Sequence, residues 1–204
     1  MDETVPEQLE EPVHIIKHSI EPVREPIQFM TPSLEGKATT YFEWSSAGFF
    51  KAAGFRGTMY SSKSYIIYRL FFGFNLKNLY LRFDSKQNLN DFFKDGGNIS
   101  IEILKPNRME LNLFHKNDIL KWELYKIDDN DKRLLNNSNI EAVCEQIVEM
   151  KIPFDILGAN HDNSIQFIVY VKEDSLLEQR FPPGGQYMEI IPPDEDFEDS
   201  MWYV

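Results

Sequence analysis

Short apolar runs separated by clusters of Asn, Asp, Gly and Pro recur along the chain from Thr39 onward. Tyr65 to Phe74, Leu79 to Phe83, Ile99 to Leu104, Met109 to Phe114, Leu120 to Ile127, Ile165 to Val171 and Tyr187 to Ile191 each have the length and residue types of a strand. Their spacing predicts an all-β fold, an antiparallel β-sandwich. Within the runs, Leu79, Leu81 and Phe83 alternate with Tyr80 and Arg82, and Trp122 and Leu124 with Glu123 and Tyr125, so one face of each strand can be buried. Turn chemistry lies between them, at Asn75 to Asn78, Asp95-Gly96-Gly97, Pro106-Asn107, Asp128 to Asp131, Asn136 to Ser138 and Asn160 to Asn163. One stretch has two readings. Ile140, Val143, Cys144, Ile147 and Val148 fall at helical spacing behind Ser138 or Asn139, whereas Val148, Met150, Ile152 and Phe154 alternate as a strand. The strand, from about Val143 to Phe154, is preferred.

Ahead of these runs, residues 1–31 set Pro6, Pro12, Pro22 and Pro26 among charges. Each proline removes a backbone donor and biases its predecessor toward extended geometry, so this segment reads as an acidic linker or packed arm, with the sandwich spanning 32–204. The tail from Pro192 to Asp199 is proline-led and acidic, and Met201-Trp202-Tyr203-Val204 would complete the sandwich by packing home.

Composition narrows the function. A chain of 204 residues suits one domain with a core that needs no metal or disulfide. With 33 acidic against 21 basic residues and a net charge of -12, it repels a phosphate backbone, which argues against nucleic acid. Neutral glycans, held by aromatic faces and hydrogen bonds, remain open. The single cysteine, Cys144, excludes an intrachain disulfide, and the acidic start MDETVPEQLEEP is the reverse of a signal peptide. No apolar run approaches the roughly 18 residues of a membrane span. The expected location is cytoplasmic, away from any membrane.

The sequence offers little catalytic chemistry. It contains no nucleophile elbow, and His14, His18, His115 and His161 are scattered. His14 and His18 have a zinc-like spacing but lie between prolines without a third ligand nearby. Asp128-Asp129-Asn130-Asp131 has oxygens suited to calcium, yet position twelve of an EF-hand loop starting at Asp128 would be Asn139, and a hydrophilic hairpin turn is the plainer reading. Asp194 to Asp199 likewise reads as a solvated tail before a cation site. The glycines from Gly48 to Gly57 lack the ending of a phosphate loop. Paired carboxylates could hydrolyse a glycoside, but among 33 acids spacing identifies no pair, and no Met/His pair stands out as a haem ligand set. The expectation is a non-enzyme without a cofactor, calcium being the one cation its oxygens suit. The remaining chemistry is the block Tyr41-Phe42-Glu43-Trp44-Ser45-Ser46-Ala47-Gly48 followed by Arg56-Gly57-Thr58-Met59-Tyr60. Tyr, Trp, Glu and Arg together suit a sugar, rings against its apolar faces and charged groups on its hydroxyls. Phe42 and Phe49 read as core.

This block, preceded by Pro32-Ser33-Leu34-Glu35-Gly36, resembles the opening of the C-terminal accessory domain of family 57 glycoside hydrolases. Further segments are similar to that family in the same order: Phe72-Gly73-Phe74, Leu79-Tyr80-Leu81-Arg82-Phe83-Asp84, Ile152-Pro153-Phe154 with Leu157-Gly158, Glu178-Gln179-Arg180-Phe181-Pro182, and Phe197 to Val204. The resemblance spans about Pro26 to Val204. Tyr60 stands where the family usually has histidine, and Ser45-Ser46 where Leu-Gly is commoner. It implies a sandwich like family 9 carbohydrate-binding modules and DOMON domains, attached in relatives to a catalytic barrel acting on α-glucans. The implied function is a non-catalytic α-glucan-binding accessory module partnered by such a catalytic domain. Rival readings are a docking domain without a sugar site, and a piece of an active glycosidase. The candidate sugar-binding residues are Tyr41, Glu43, Trp44, Arg56 and Tyr60, then Arg82, Asp84 and Arg180, the last also a candidate for an ion pair with Asp84 or Glu178.

Overall fold

Period-two alternation sorts the apolar side chains of the chain onto facing sides of two sheets. The computed structural model describes residues 18–38, 42–52, 65–129, 131–135, 139–174 and 176–200. In chain order the elements are β1 (Ser19–Ile20), β2 (Gly48–Lys51), β3 (Ile67–Phe74), β4 (Asn78–Ser85), α1 (Leu89–Lys94), β5 (Gly97–Lys105), β6 (Met109–Lys116) and β7 (Ile119–Asp128). They continue with β8 (Asp131–Leu135), β9 (Glu141–Cys144), β10 (Val148–Pro153), α2 (Phe154–Leu157), β11 (Ile165–Glu173), β12 (Leu176–Phe181), β13 (Tyr187–Ile190) and α3 (Phe197–Ser200). One sheet has the order β1-β13-β11-β5-β6-β7-β8, with β12 also pairing β11, and the other β2-β3-β4-β10-β9. Every pairing except β1 with β13 is antiparallel. The fold is an all-β sandwich.

Ile99, Ile101, Leu111, Leu113, Phe167 and Val169 of the larger sheet meet Phe50, Leu70, Phe72, Leu81, Phe83 and Met150 of the smaller in one buried cluster. Gln179 adds a polar tie inside it: its amide accepts from Ile67 N (2.9 Å) and donates to Ile67 O (2.7 Å), satisfying a buried backbone pair. Asn117 and Asp118, both at positive φ, make the two-residue turn between β6 and β7. Asp128 pairs with Asp131 across the β7–β8 turn, so that acidic run closes a hairpin.

The ambiguous stretch is two strands rather than one. β9 and β10 form a hairpin whose turn is held from outside: the Gly36 carbonyl accepts from Glu145 N, Gln146 N and Ile147 N at 2.8–3.2 Å. Chain then leaves β10 at Phe154, which opens the short helix α2 instead of extending the strand. Gly36 has a φ of 69°, and a Cβ there would stand 2.6 Å from Glu145 N. Gly36→Ala is therefore expected to destabilise the chain by more than about 1 kcal/mol, read as a lower urea midpoint at unchanged slope.

Residues 18–36 lie along the sandwich. Arg24 bridges Phe49, Ile27 N donates to Ser46 O (3.0 Å), and Met30 N donates to Phe74 O (2.9 Å). This path covers the outward face of the smaller sheet with a second apolar cluster of Met30, Trp44, Ala47, Phe71 and Tyr80. The acidic stretch near the end is docked rather than simply solvated. Phe197 packs 4.9 Å from Phe74 and 5.5 Å from Phe29, and Glu198 Oε1 accepts from Phe29 N (2.8 Å). The final Trp202-Tyr203-Val204 lies outside the described residues.

Candidate functional site

The described residues of the block expected to bind sugar divide between structure and surface. A single 3-10 turn, Phe42–Trp44, drives the Trp44 ring into the second apolar cluster, where it is 2% exposed and 6.5 Å from the Phe71 ring. Its indole Nε1 donates to Glu149 Oε1 (2.9 Å), and Glu149 Oε2 accepts from Glu35 N and Gly36 N (both 2.8 Å). Trp44 therefore has no face to offer a sugar; it carries the arm onto the sheet. Phe42, expected in the core, is 86% exposed, because the turn that buries Trp44 points its neighbour outward. Glu43 is exposed and its Oε2 accepts from Ser33 N (2.9 Å). Tyr41, Arg56 and Tyr60 lie outside the described residues, as does the Gly54 to Gly57 part of the glycine pattern.

Arg82 and Asp84 also prove buried, at 4% and 7% exposure, with Arg82 Nε 2.7 Å from Asp84 Oδ1. They point outward from β4 beneath the covering segment, a position better suited to an internal ion pair than to chelating hydroxyls. Arg180 is elsewhere. It donates to the carbonyls of Pro182 and of Gln186 (2.8 Å), pinning the β12–β13 connection, while Asp84 is engaged by Arg82. The five described candidates, Glu43, Trp44, Arg82, Asp84 and Arg180, thus do not converge on one open site.

What the arm does build is a groove of about 550 Å3 where residues 31–34 cross the end of the smaller sheet. Trp122 of β7, Tyr80 of β4, and Glu141 and Lys151 of β9 and β10 face it, with Thr31 and Ser33 on the arm side. Trp122 is half-buried, since β7 and β9 belong to different sheets and leave the inward side of Trp122 partly open at the edge between them. Asn75 Nδ2 donates to Tyr80 OH (3.0 Å) and Thr31 Oγ1 (3.1 Å), fixing one wall. Lys151 Nζ pairs with the Glu141 carboxylate on the opposite side. The Glu43 to Ser33 hydrogen bond holds the arm at the rim, so among the described candidates Glu43 alone is tied to this groove. Sequence reasoning passed over Trp122 because its alternation with Glu123 marks it as inward-facing; the signal available was a bulky indole on a long strand, without knowledge of which partner failed to cover it.

Other reactive groups are structural. Burial, with Asp91 nearby, pushes the Cys144 thiol up to about 12, so the thiolate nucleophile is scarce near neutrality. His115 stacks on Phe93 with ring centroids 5.4 Å apart, and burial, then Lys94, hold its imidazole below the usual range. His18 and His161 are exposed and far apart in sequence, and no group of three His, Cys, Asp or Glu side chains among the described residues is placed to hold a metal ion. On the outward face of the larger sheet, burial raises the Glu110 carboxyl, but hydrogen bonds from Asn112 and Lys132 and the charges of Lys132 and Lys172 outweigh it and hold the group below the usual range. Tyr125 OH donates to Glu123 (2.6 Å) on the same face. No described helix is long and apolar enough to cross a membrane. No family model, no curated protein and no solved structure matches the chain.

Proposed function

We propose that the chain is a non-catalytic carbohydrate-binding module for an α-glucan, and that the groove beside Trp122 is its glycan site. The observation that carries this reading is a half-buried indole facing a groove of about 550 Å3 whose other walls supply hydroxyl, ammonium and carboxylate groups. That volume falls within the range of small-molecule sites, and an aromatic face with a few convergent polar groups is the arrangement a sugar ring requires. The choice of α-glucan, and of a family 57-type hydrolase catalytic domain as partner, rests on the resemblance of the Thr40 to Gly48 block and the segments that follow it.

Titration with a linear malto-oligosaccharide, followed by tryptophan fluorescence and calorimetry, tests the site. Trp122→Ala is expected to weaken binding about tenfold or more, a loss of about 1.4 kcal/mol or greater. Lys151→Ala removes a surface ion pair at little cost in stability and should weaken binding less. Wild-type affinity in both variants would remove the groove from consideration.

A docking role has its own support. Val23 and Ile27 on the arm and Ile191 after β13 are large apolar side chains left exposed, and Ile191 lines a second groove of about 570 Å3 with Pro22 and Pro26. Failure of every glycan to bind, with retention of a catalytic domain, would favour that role.

A further inference from the structure

The outward face of the smaller sheet holds more positive charge than its internal pairing explains. Cross-strand register sets Phe49, Phe71, Arg82 and Glu149 in one row, with Lys51, Arg69 and Asp84 in the next. Arg69 lies 4.9 Å from the Phe49 ring centroid and 5.3 Å from that of Phe71, and Arg82 lies 5.4 Å from Phe71. Arg24 stands 5.6 Å from Phe49 and spends its donors on the Ala47 carbonyl. Three guanidiniums therefore surround two phenyl rings. Asp84 engages Arg82 through Nε alone, and the Glu149 oxygens already accept from Trp44 and two backbone N–H groups.

Two donors remain without an acceptor: Arg69 Nε and Arg82 Nη1, both shielded from solvent. A buried guanidinium N–H without a partner is costly, and a pair of them on arginines packed against the same ring calls for a missing acceptor. Arginine is suited to oxyanions, its planar donors matching two oxygens at once, and the flanking rings hold the guanidiniums in place before any ligand arrives. Arg69 is half-exposed, which gives an anion a way in from its side.

We propose that this face binds a tetrahedral dianion of the phosphate or sulfate class, shared between Arg69 and Arg82 above the Phe71 ring. The site is separate from the Trp122 groove and does not depend on glycan binding.

The test uses the full chain, with inorganic phosphate, sulfate and chloride compared at equal ionic strength by thermal unfolding and calorimetry. Phosphate or sulfate should raise Tm by a few degrees over chloride. Arg69→Gln should lower the oxyanion affinity about tenfold or more without lowering the Tm in chloride appreciably. Arg82→Lys keeps a charge beside Asp84, so it should fold, but it loses the planar fork and should bind more weakly than wild type. Equal Tm in all three salts, or an oxyanion effect unchanged by Arg69→Gln, would overturn the proposal and leave an ordered water as the partner of the two N–H groups.

Discussion

Replacing Glu149 with alanine is expected to destabilise the chain by about 3–5 kcal/mol, a large share of the stability typical of a domain. The carboxylate is fully buried and accepts from Trp44 Nε1, Glu35 N and Gly36 N, and its bonds to the indole and to Gly36 N lie away from water. Each stranded donor costs about 1–3 kcal/mol, and the loss falls on the one point where arm, 3-10 turn and β10 meet. Glu149→Gln keeps one acceptor oxygen but turns an amide toward these donors, so it should fall between wild type and alanine. Urea unfolding monitored by circular dichroism measures both. A shift below about 1 kcal/mol for Glu149→Ala would show that the arm is held by other contacts.

Trp44→Ala is expected to cost a similar amount, about 3–5 kcal/mol, as truncating a buried tryptophan does. Its ring fills the space among Met30, Ala47, Phe71 and Tyr80, and its removal also takes away the indole N–H that Glu149 Oε1 accepts from. For a chain of 204 residues, this corresponds to a Tm lower by about 10 °C. Because the arm forms one wall of the Trp122 groove, the variant should also lose glycan affinity as its arm loosens, and the two losses should track each other with temperature. A variant with wild-type Tm but no glycan binding would instead make Trp44 a ligand-facing ring.

The sandwich was legible because alternation is a local property. In β4, Leu79, Leu81 and Phe83 go inward and Tyr80, Arg82 and Asp84 outward, as period two requires. What alternation cannot say is whether the outward side meets water. In β4 and β10 it meets a second apolar layer made by the arm together with Trp44 and Ala47, so Tyr80, Arg82 and Glu149 are buried while their pattern reads as solvent-facing. That is why Trp44 and Arg82, chemically apt for a sugar, serve the arm and the sheet. Strands β2, β8 and β12 escaped notice because they are short or rich in exposed polar residues, and take their form from pairing with longer neighbours. The reverse failure applies to Trp122, whose pattern reads as core and whose partner sheet ends too soon to cover it. Both errors have one cause: layer boundaries are set by residues more than a hundred positions apart, as the Trp44 to Glu149 hydrogen bond shows.

The most direct test of the central claim is native affinity electrophoresis of wild type and Trp122→Ala in gels containing starch, glycogen, β-glucan or no polysaccharide. An α-glucan site at Trp122 predicts that wild type is retarded in starch and glycogen alone, and that Trp122→Ala runs in every gel as it does without polysaccharide. Equal mobility of wild type in all four gels would contradict it.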